Sequence, residues 1–304
     1  MPDKPSADVE IDEALVRALL QQAEHVIADA STLALRKTSE GWDSAVWRLG
    51  ADLAVRLPRR ALAAPLVLHE QRALPLVAPA IEATGIRVPV PLFVGAPTAR
   101  YPWSWSIVPW FEGTSGIAVP RADRAGWSAP LARALSALHV IAPGDHPVNP
   151  VRGVPLLDRA PAVQDRLALL REARALPSST FAALEDAWAA GLDAAPWSGA
   201  PVWIHGDLHP ANLVADGGRL VGLIDFGDVT AGDPAYDLAV GWLAFDRSGR
   251  DAFRTALTGR YDSATWTRAR AWGAAIALML VAHSDDDPDY GVLGRESAHE
   301  VSID

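Results

Sequence analysis

Two short polar stretches carry the residues best suited to chemistry in this 304-residue chain. The first is His205-Gly206-Asp207-Leu208-His209-Pro210-Ala211-Asn212, which sets a carboxylate and an amide in one loop. The second is Leu223-Ile224-Asp225-Phe226-Gly227-Asp228, which ends a strand-like run on a second carboxylate. Between them Gly217-Gly218 reads as a hairpin turn, which would bring Asn212 and Asp225 together. Carboxylate and amide oxygens are hard donors and suit Mg²⁺. Two such oxygens on a metal, with a further carboxylate free to orient a hydroxyl and take its proton, are what phosphoryl transfer requires. Asp225 and Asn212 are therefore assigned to Mg²⁺, and Asp207 to the acceptor hydroxyl. His205 and His209 are expected to brace the loop by hydrogen bonding. A zinc site would call for cysteines or a HExxH helix, and the chain has 0 Cys.

Elements must hold these groups in place. Residues 11–26 have an amphipathic helical pattern. Strand-like runs follow at 33–37, 45–49 and 53–57, then at 90–95 and 103–111. Residues 63–81 are helical in pattern, with Pro75 and Pro79 expected to break or restart the helix. Beyond Glu112-Gly113 the pattern turns helical, at 123–141, 156–175, 179–191, 234–245, 251–260 and 264–283. Short β runs at 202–205, 212–215 and 220–225 interrupt it. The expected fold is α+β and bilobal. Residues 1–110 form a small antiparallel-sheet lobe with a leading helix, and residues 111–304 a larger, mostly helical lobe.

Composition narrows the function classes. The formal net charge of −10 disfavours nucleic acid as a partner, because phosphate backbones need a basic surface. The longest apolar run, 271–282, falls short of the roughly 20 residues that span a bilayer. The polar, acidic N-terminus is unlike a secretory signal. A cytoplasmic protein with no membrane, nucleic-acid or obligatory protein partner is expected.

The two motifs together resemble the catalytic loop and the Asp-Phe-Gly signature of protein kinases. Gly206 stands where protein kinases commonly have an arginine, and Gly232-Asp233-Pro234 follows Asp225 too soon for a peptide-docking segment. Both features point to a small-molecule acceptor. HGDLHPANLV (205–214), LIDFGD (223–228) and GDPAYDLA (232–239), with GWDSAVWRLG (41–50) and AVRLPRR (54–60), resemble the aminoglycoside phosphotransferase family of antibiotic kinases, over residues 33–245. The resemblance implies a protein-kinase-like fold with ATP or GTP bound between the lobes. It implies that Arg56, in place of the usual lysine, reaches the phosphates and is held by Glu70. It implies that Ser44 touches a phosphate, that the Pro109 carbonyl and Phe111 N–H pair with the base, and that Asp237 supports the catalytic loop.

The acceptor implied is small and hydroxylated, and a cationic one is a candidate. Asp228, Asp246 and the run Asp285, Asp286, Asp287 and Asp289 are candidate hosts for amines. Trp110, Trp242 and Trp272 could instead line an apolar acceptor pocket. An aminoglycoside is the first reading. A macrolide or nucleoside antibiotic is an alternative, as is a metabolite such as choline, homoserine, a sugar or a fructosamine. A nucleotide-binding pseudokinase module is the alternative from another class.

Overall fold

The computed structural model describes residues 5–284 and 287–304. It opens on α1 (Glu13–Leu20), which Asp12 caps by accepting from the Leu15 N–H at 2.7 Å. The expected longer helix gives way to a 3-10 turn at Gln21–Ala23. Strands β1 (Leu35–Glu40), β2 (Ser44–Leu49) and β3 (Leu53–Pro58) form an antiparallel meander. Helix α2 (Ala64–Glu82) follows, then β4 (Phe93–Gly95) and β5 (Trp105–Pro109). The five strands make one antiparallel sheet in the order β1-β2-β3-β5-β4.

Pleat alternation divides the labour of β3. Val55 and Leu57 join Trp47, Leu49 and Ile107 in a core that α1 covers with Leu15, Val16, Leu19 and Leu20. Arg56, on the opposite face, is left to point towards α2. Helix α2 runs unbroken through Pro75 and Pro79, contrary to the sequence expectation. Each proline removes one backbone hydrogen bond. Burial of Ala73, Leu74, Val77, Ala78 and Ile81 in the large second core outweighs that loss.

That second core lies in the helical part. A short pair, β6 (Thr114–Ser115), leads into α3 (Ser128–Leu138), α4 (Leu156–Glu172) and α5 (Ser178–Asp193). Then come β7 (Val202–Ile204), β8 (Leu213–Asp216), β9 (Arg219–Leu223) and β10 (Thr230–Gly232). The chain closes with α6 (Ala235–Leu238), α7 (Val240–Ala244), α8 (Arg247–Ala256), α9 (Ser263–Ala282) and α10 (Pro288–Ser302). Strand β10, which pairs with β7, and helix α10 are both additions to the sequence reading. Helix α10 has a legible start, since Asp287 caps it and Pro288 takes the first turn. Asp285 and Asp286 lie outside the described residues. No helix among the described residues is long and apolar enough to cross a membrane.

Candidate active site

The catalytic loop begins where β7 ends. Its backbone is held by Asp237 at the start of α6, which accepts from the His205 N–H at 2.7 Å and the Gly206 N–H at 3.1 Å. His139 Nε2 approaches the same carboxylate at 3.1 Å. Asp237 is buried, so these partners are what let a carboxylate stay there. His205 Nδ1 accepts the Asp207 N–H at 3.3 Å, which leaves Nε2–H to donate to the Ile224 carbonyl at 3.0 Å. The loop is thereby tied to the strand that carries Asp225.

Gly206 has a structural reason to be glycine. Its φ is +83°, and a Cβ there would lie 2.2 Å from the Asp228 carbonyl oxygen. The left-handed conformation alone disfavours a side chain by about 1 kcal/mol. Gly206→Ala is expected to lower stability by more than that, because the Asp228 backbone must also shift; thermal or urea denaturation checks it.

Asp207 sits among hydrogen-bond donors, one of them a cation. Arg152 Nη2 donates to its Oδ1 at 3.1 Å, and His209 Nε2 stands 3.4 Å from Oδ2. His209 Nδ1 accepts the Ala211 N–H at 3.2 Å, so Nε2 carries the proton that faces Asp207. Asn212 Nδ2 donates to the Asp207 carbonyl at 2.8 Å. Burial pushes the Asp207 carboxyl up, but Arg152 and then His209 outweigh it and hold it well below the usual carboxylate range. Asp207 is thus an ionised acceptor, suited to orienting a hydroxyl.

The β8–β9 hairpin joins this loop to Asp225. Gly217 and Gly218 both have positive φ, +53° and +77°, as a tight two-residue hairpin turn requires. Leu213 pairs with Leu223, and the Ile224 N–H donates to the Asn212 carbonyl at 3.0 Å. Asn212 therefore faces Ile224 across the open end of the hairpin, with Asp225 the next residue. Asp225 adopts φ +64°, a left-handed conformation that Asp tolerates better than most residues. The residue that follows the Asp-Phe pair, Gly227, lies under Leu66 of α2.

Arg56 links sheet, helix and hairpin. Its Nη2 lies 2.9 Å from Asp225 Oδ1 and 3.1 Å from Glu70 Oε2. Burial would lower the Arg56 pKa, but Glu70 and then Asp225 outweigh it and raise it. Neither oxygen of the buried Glu70 makes a hydrogen bond of good geometry among the described residues. Burial pushes the Glu70 carboxyl up against the pull of Arg56, to about 7. A carboxyl whose folded pKa is raised binds more protons folded than unfolded, so its contribution to stability declines as pH rises from about 4.5 through about 7. Glu70→Gln lacks that slope. Its melting temperature is expected to gain on the wild type between pH 5 and pH 8, and parallel melts across that range check it.

The remaining candidates divide. Pro109 ends β5, and the Trp110 N–H is taken by the Asp52 carbonyl at 2.7 Å. The next N–H, that of Phe111, has no hydrogen bond among the described residues, which leaves it open to a base edge. Ser44 opens β2 beside a turn pinned by Arg59 on the Gly41 carbonyl and Arg60 on Asp43. Its hydroxyl has no hydrogen bond among the described residues. Asp228 lies beside Asp207, reached by Asn149 Nδ2 at 2.6 Å and Arg152 Nη2 at 3.4 Å.

Three acceptor candidates are corrected. Asp246 caps α8 by accepting from the Gly249 N–H at 2.8 Å. Trp242 is 1% exposed, and its indole N–H points to Asp304 at 3.3 Å. Trp272 is likewise buried, packed edge-on to Trp188 and Tyr236. A side chain that fills the core has no face to offer a ligand. Arg152, Asn149 and Tyr236 were missed by sequence reasoning. Arg152 lies in a proline- and glycine-rich loop far from either motif, and only the Asn149-Pro150 turn signal marks it.

The donor set fits Mg²⁺. Asp225 is half exposed, and Arg56 engages one of its oxygens. The Asn212 amide spends its NH₂ group on Asp207 and keeps its carbonyl oxygen. Among the described residues no cluster of three or more His, Cys, Asp or Glu could hold a metal.

A family model described as "Phosphotransferase enzyme family" matches residues 34–272. Among solved structures, the GDP complex of a mutant aminoglycoside 2'-phosphotransferase-IIIa superposes with TM-score 0.67 at 19% identity, over 96% of this chain and 98% of that one. The GDP and kanamycin complex of APH(2")-IIia superposes with TM-score 0.62 at 17% identity, over 93% and 97%. The apoenzyme of macrolide 2'-phosphotransferase MphH from Brachybacterium faecium superposes with TM-score 0.58 at 21% identity, over 92% and 96%. The expected bilobal α+β fold is therefore the fold observed.

Proposed function

The chain belongs to the phosphotransferase enzyme family, and from that premise we propose that it moves the γ-phosphoryl of ATP or GTP to a hydroxyl of a small-molecule antibiotic. The observation that carries this is the meeting of Asp207, Asn212, Asp225 and Arg56 at the open end of the β8–β9 hairpin. Residues 1–110 act as the nucleotide lobe and residues 111–304 as the catalytic and acceptor lobe. The solved complex of APH(2")-IIia with GDP and kanamycin supports a nucleotide and an antibiotic as the two ligands.

Each residue then has a task. The Pro109 carbonyl and the open Phe111 N–H pair with the base. Arg56, steadied by Glu70, clamps phosphate oxygens as a planar fork where a lysine would offer a point charge. Asp225 and Asn212 would hold Mg²⁺, which when bound neutralises phosphate charge. Asp207 orients the acceptor hydroxyl and receives its proton late, since a strongly ionised carboxylate is a weak base. The donor makes the cytoplasm the place of work. An intact Asp207, Asn212 and Asp225 set speaks against a pseudokinase module.

An aminoglycoside is the first acceptor class, because Asp228 adds a second carboxylate beside Asp207 and the chain is acidic. A macrolide is the second, supported by the fold shared with macrolide 2'-phosphotransferase MphH. Incubation of the protein with Mg-ATP or Mg-GTP and a panel of both classes, read by mass spectrometry, tests the proposal. A singly phosphorylated antibiotic is expected. Turnover of hydroxylated metabolites alone would overturn the antibiotic reading.

A further inference from the structure

The loop 149–153 is built to deliver one side chain. Asn149 Oδ1 accepts the Val151 N–H at 3.0 Å and the Arg152 N–H at 3.1 Å, which closes a tight turn. The Asn149 N–H reaches Thr230 Oγ1 at 3.3 Å, and that hydroxyl donates to the Pro147 carbonyl at 2.8 Å. Gly153 then turns with φ +65°, so close to β7 that a Cβ would lie 2.6 Å from Ile204 Cδ1. The loop is thus pinned to β7, from which the catalytic loop leaves, and to its partner β10.

The side chain it delivers is Arg152. Nη1 donates to the Tyr236 hydroxyl at 2.6 Å, and Nη2 spans Asp207 at 3.1 Å and Asp228 at 3.4 Å. Its Nε is buried with no hydrogen-bond partner among the described residues. Arg166 of α4 shares that condition at its own Nε. Burial lowers the Arg166 pKa, and Arg159 and Arg152 lower it further, as expected where guanidinium groups crowd together. Arg152 and Arg166 thus feel each other's charge in a chain of net charge −10.

We propose that Arg152 is a catalytic arginine supplied within the chain, contacting the phosphoryl group as it passes from the nucleotide to the acceptor. This rests on the phosphotransferase reading above. A hydroxyl oriented by Asp207 lies about 2.7 Å from its carboxylate. A guanidinium 3.1 Å from the same carboxylate then lies close to the reacting oxygen. In the step, the acceptor oxygen bonds to the γ-phosphorus and the bond to the β,γ-bridging oxygen breaks. The hydroxyl proton goes to Asp207, and the nucleoside diphosphate leaves with the bond electrons. Charge spreads over the three peripheral phosphoryl oxygens during transfer, and arginines placed there are worth roughly 10³–10⁵ in rate. Asp228 and Tyr236 keep the fork in place when Asp207 turns to the hydroxyl.

The test needs no known acceptor. Mg-ADP and Mg-GDP, each with and without fluoroaluminate as a mimic of the phosphoryl in flight, are titrated calorimetrically into wild type, Arg152→Gln and Arg152→Lys. Equal diphosphate affinity in all three is expected, with the fluoroaluminate complex weakened at least about 100-fold in Arg152→Gln. Added guanidinium is expected to recover part of that loss. Wild-type fluoroaluminate affinity in Arg152→Gln would overturn the proposal, as would a wild type that gains nothing from fluoroaluminate. If Arg152→Gln does not fold, Arg152→Lys, which keeps the charge and loses the fork, bears the same comparison. A wild type that binds neither diphosphate would instead overturn the phosphotransferase reading, and this proposal with it.

Discussion

Asp207→Asn is expected to lower turnover by roughly 10²–10⁴-fold, the range for removing a positioned acid–base group. Asparagine keeps the shape and can still accept from Arg152. It loses the charge that orients and finally takes the hydroxyl proton. Nucleotide affinity is expected to stay at the wild-type value, because the contacts of Asp207 are to Arg152, His209 and Asn212 and none is to Arg56 or Asp225. A kcat loss with unchanged nucleotide KM is therefore the signature, measured by coupled diphosphate release. Stability should fall too. Arg152 and His209 hold the Asp207 carboxyl below its usual range against burial, so its contribution is present above about pH 4 and lost as pH falls through the lower, folded value. At neutral pH the wild type has that contribution and the variant lacks it. Unchanged turnover in Asp207→Asn would remove Asp207 from the mechanism.

Asp225→Asn is expected to cost several kcal/mol of phosphate charge stabilisation, or roughly 10³-fold or more in kcat/KM. Asparagine is the informative choice. It tolerates the φ of +64° at this position, where alanine would add backbone strain. Here the signature differs, because Mg²⁺ dependence should weaken along with nucleotide binding. A second reading of the same variant comes from Glu70. Asp225 is among the charges that push the Glu70 carboxyl up, so its neutralisation should bring Glu70 down from about 7. Stability should then fall less as pH rises, with the loss complete at a lower pH, and Arg56 should settle more firmly on Glu70. Wild-type Mg²⁺ dependence in Asp225→Asn would dismiss it as a metal ligand.

Legibility in the sequence followed locality. The hairpin between Asn212 and Asp225 was readable because a Gly-Gly turn and two short apolar runs are local signals. The role of Asp237 was implied by the resemblance that GDPAYDLA carries to the antibiotic kinases. Pro75 and Pro79 misled, because the burial that keeps α2 whole is supplied by residues far along the chain, such as Leu131 and Leu135 of α3. Trp242 and Asp246 misled in the same way. An aromatic side chain and an acidic one have the same chemistry in a pocket, a core or a helix cap, and only packing tells these apart.

The sequence by itself determined the chemistry. Asp207, Asn212 and Asp225 in their order and spacing admit phosphoryl transfer, and the short segment after Asp225 admits a small acceptor. Tertiary structure alone decided the electrostatics. Arg56 meets Asp225 across 169 residues, and Arg152 meets Asp207 across 55. No periodicity or turn signal reaches over such separations. These pairs form because β3 packs on α2 beside the hairpin and because the loop 149–153 is pinned to β7 and β10. That same packing explains Gly206, whose glycine identity the sequence could only compare with a protein kinase's arginine. The reason is a carbonyl oxygen 2.2 Å from where its Cβ would be.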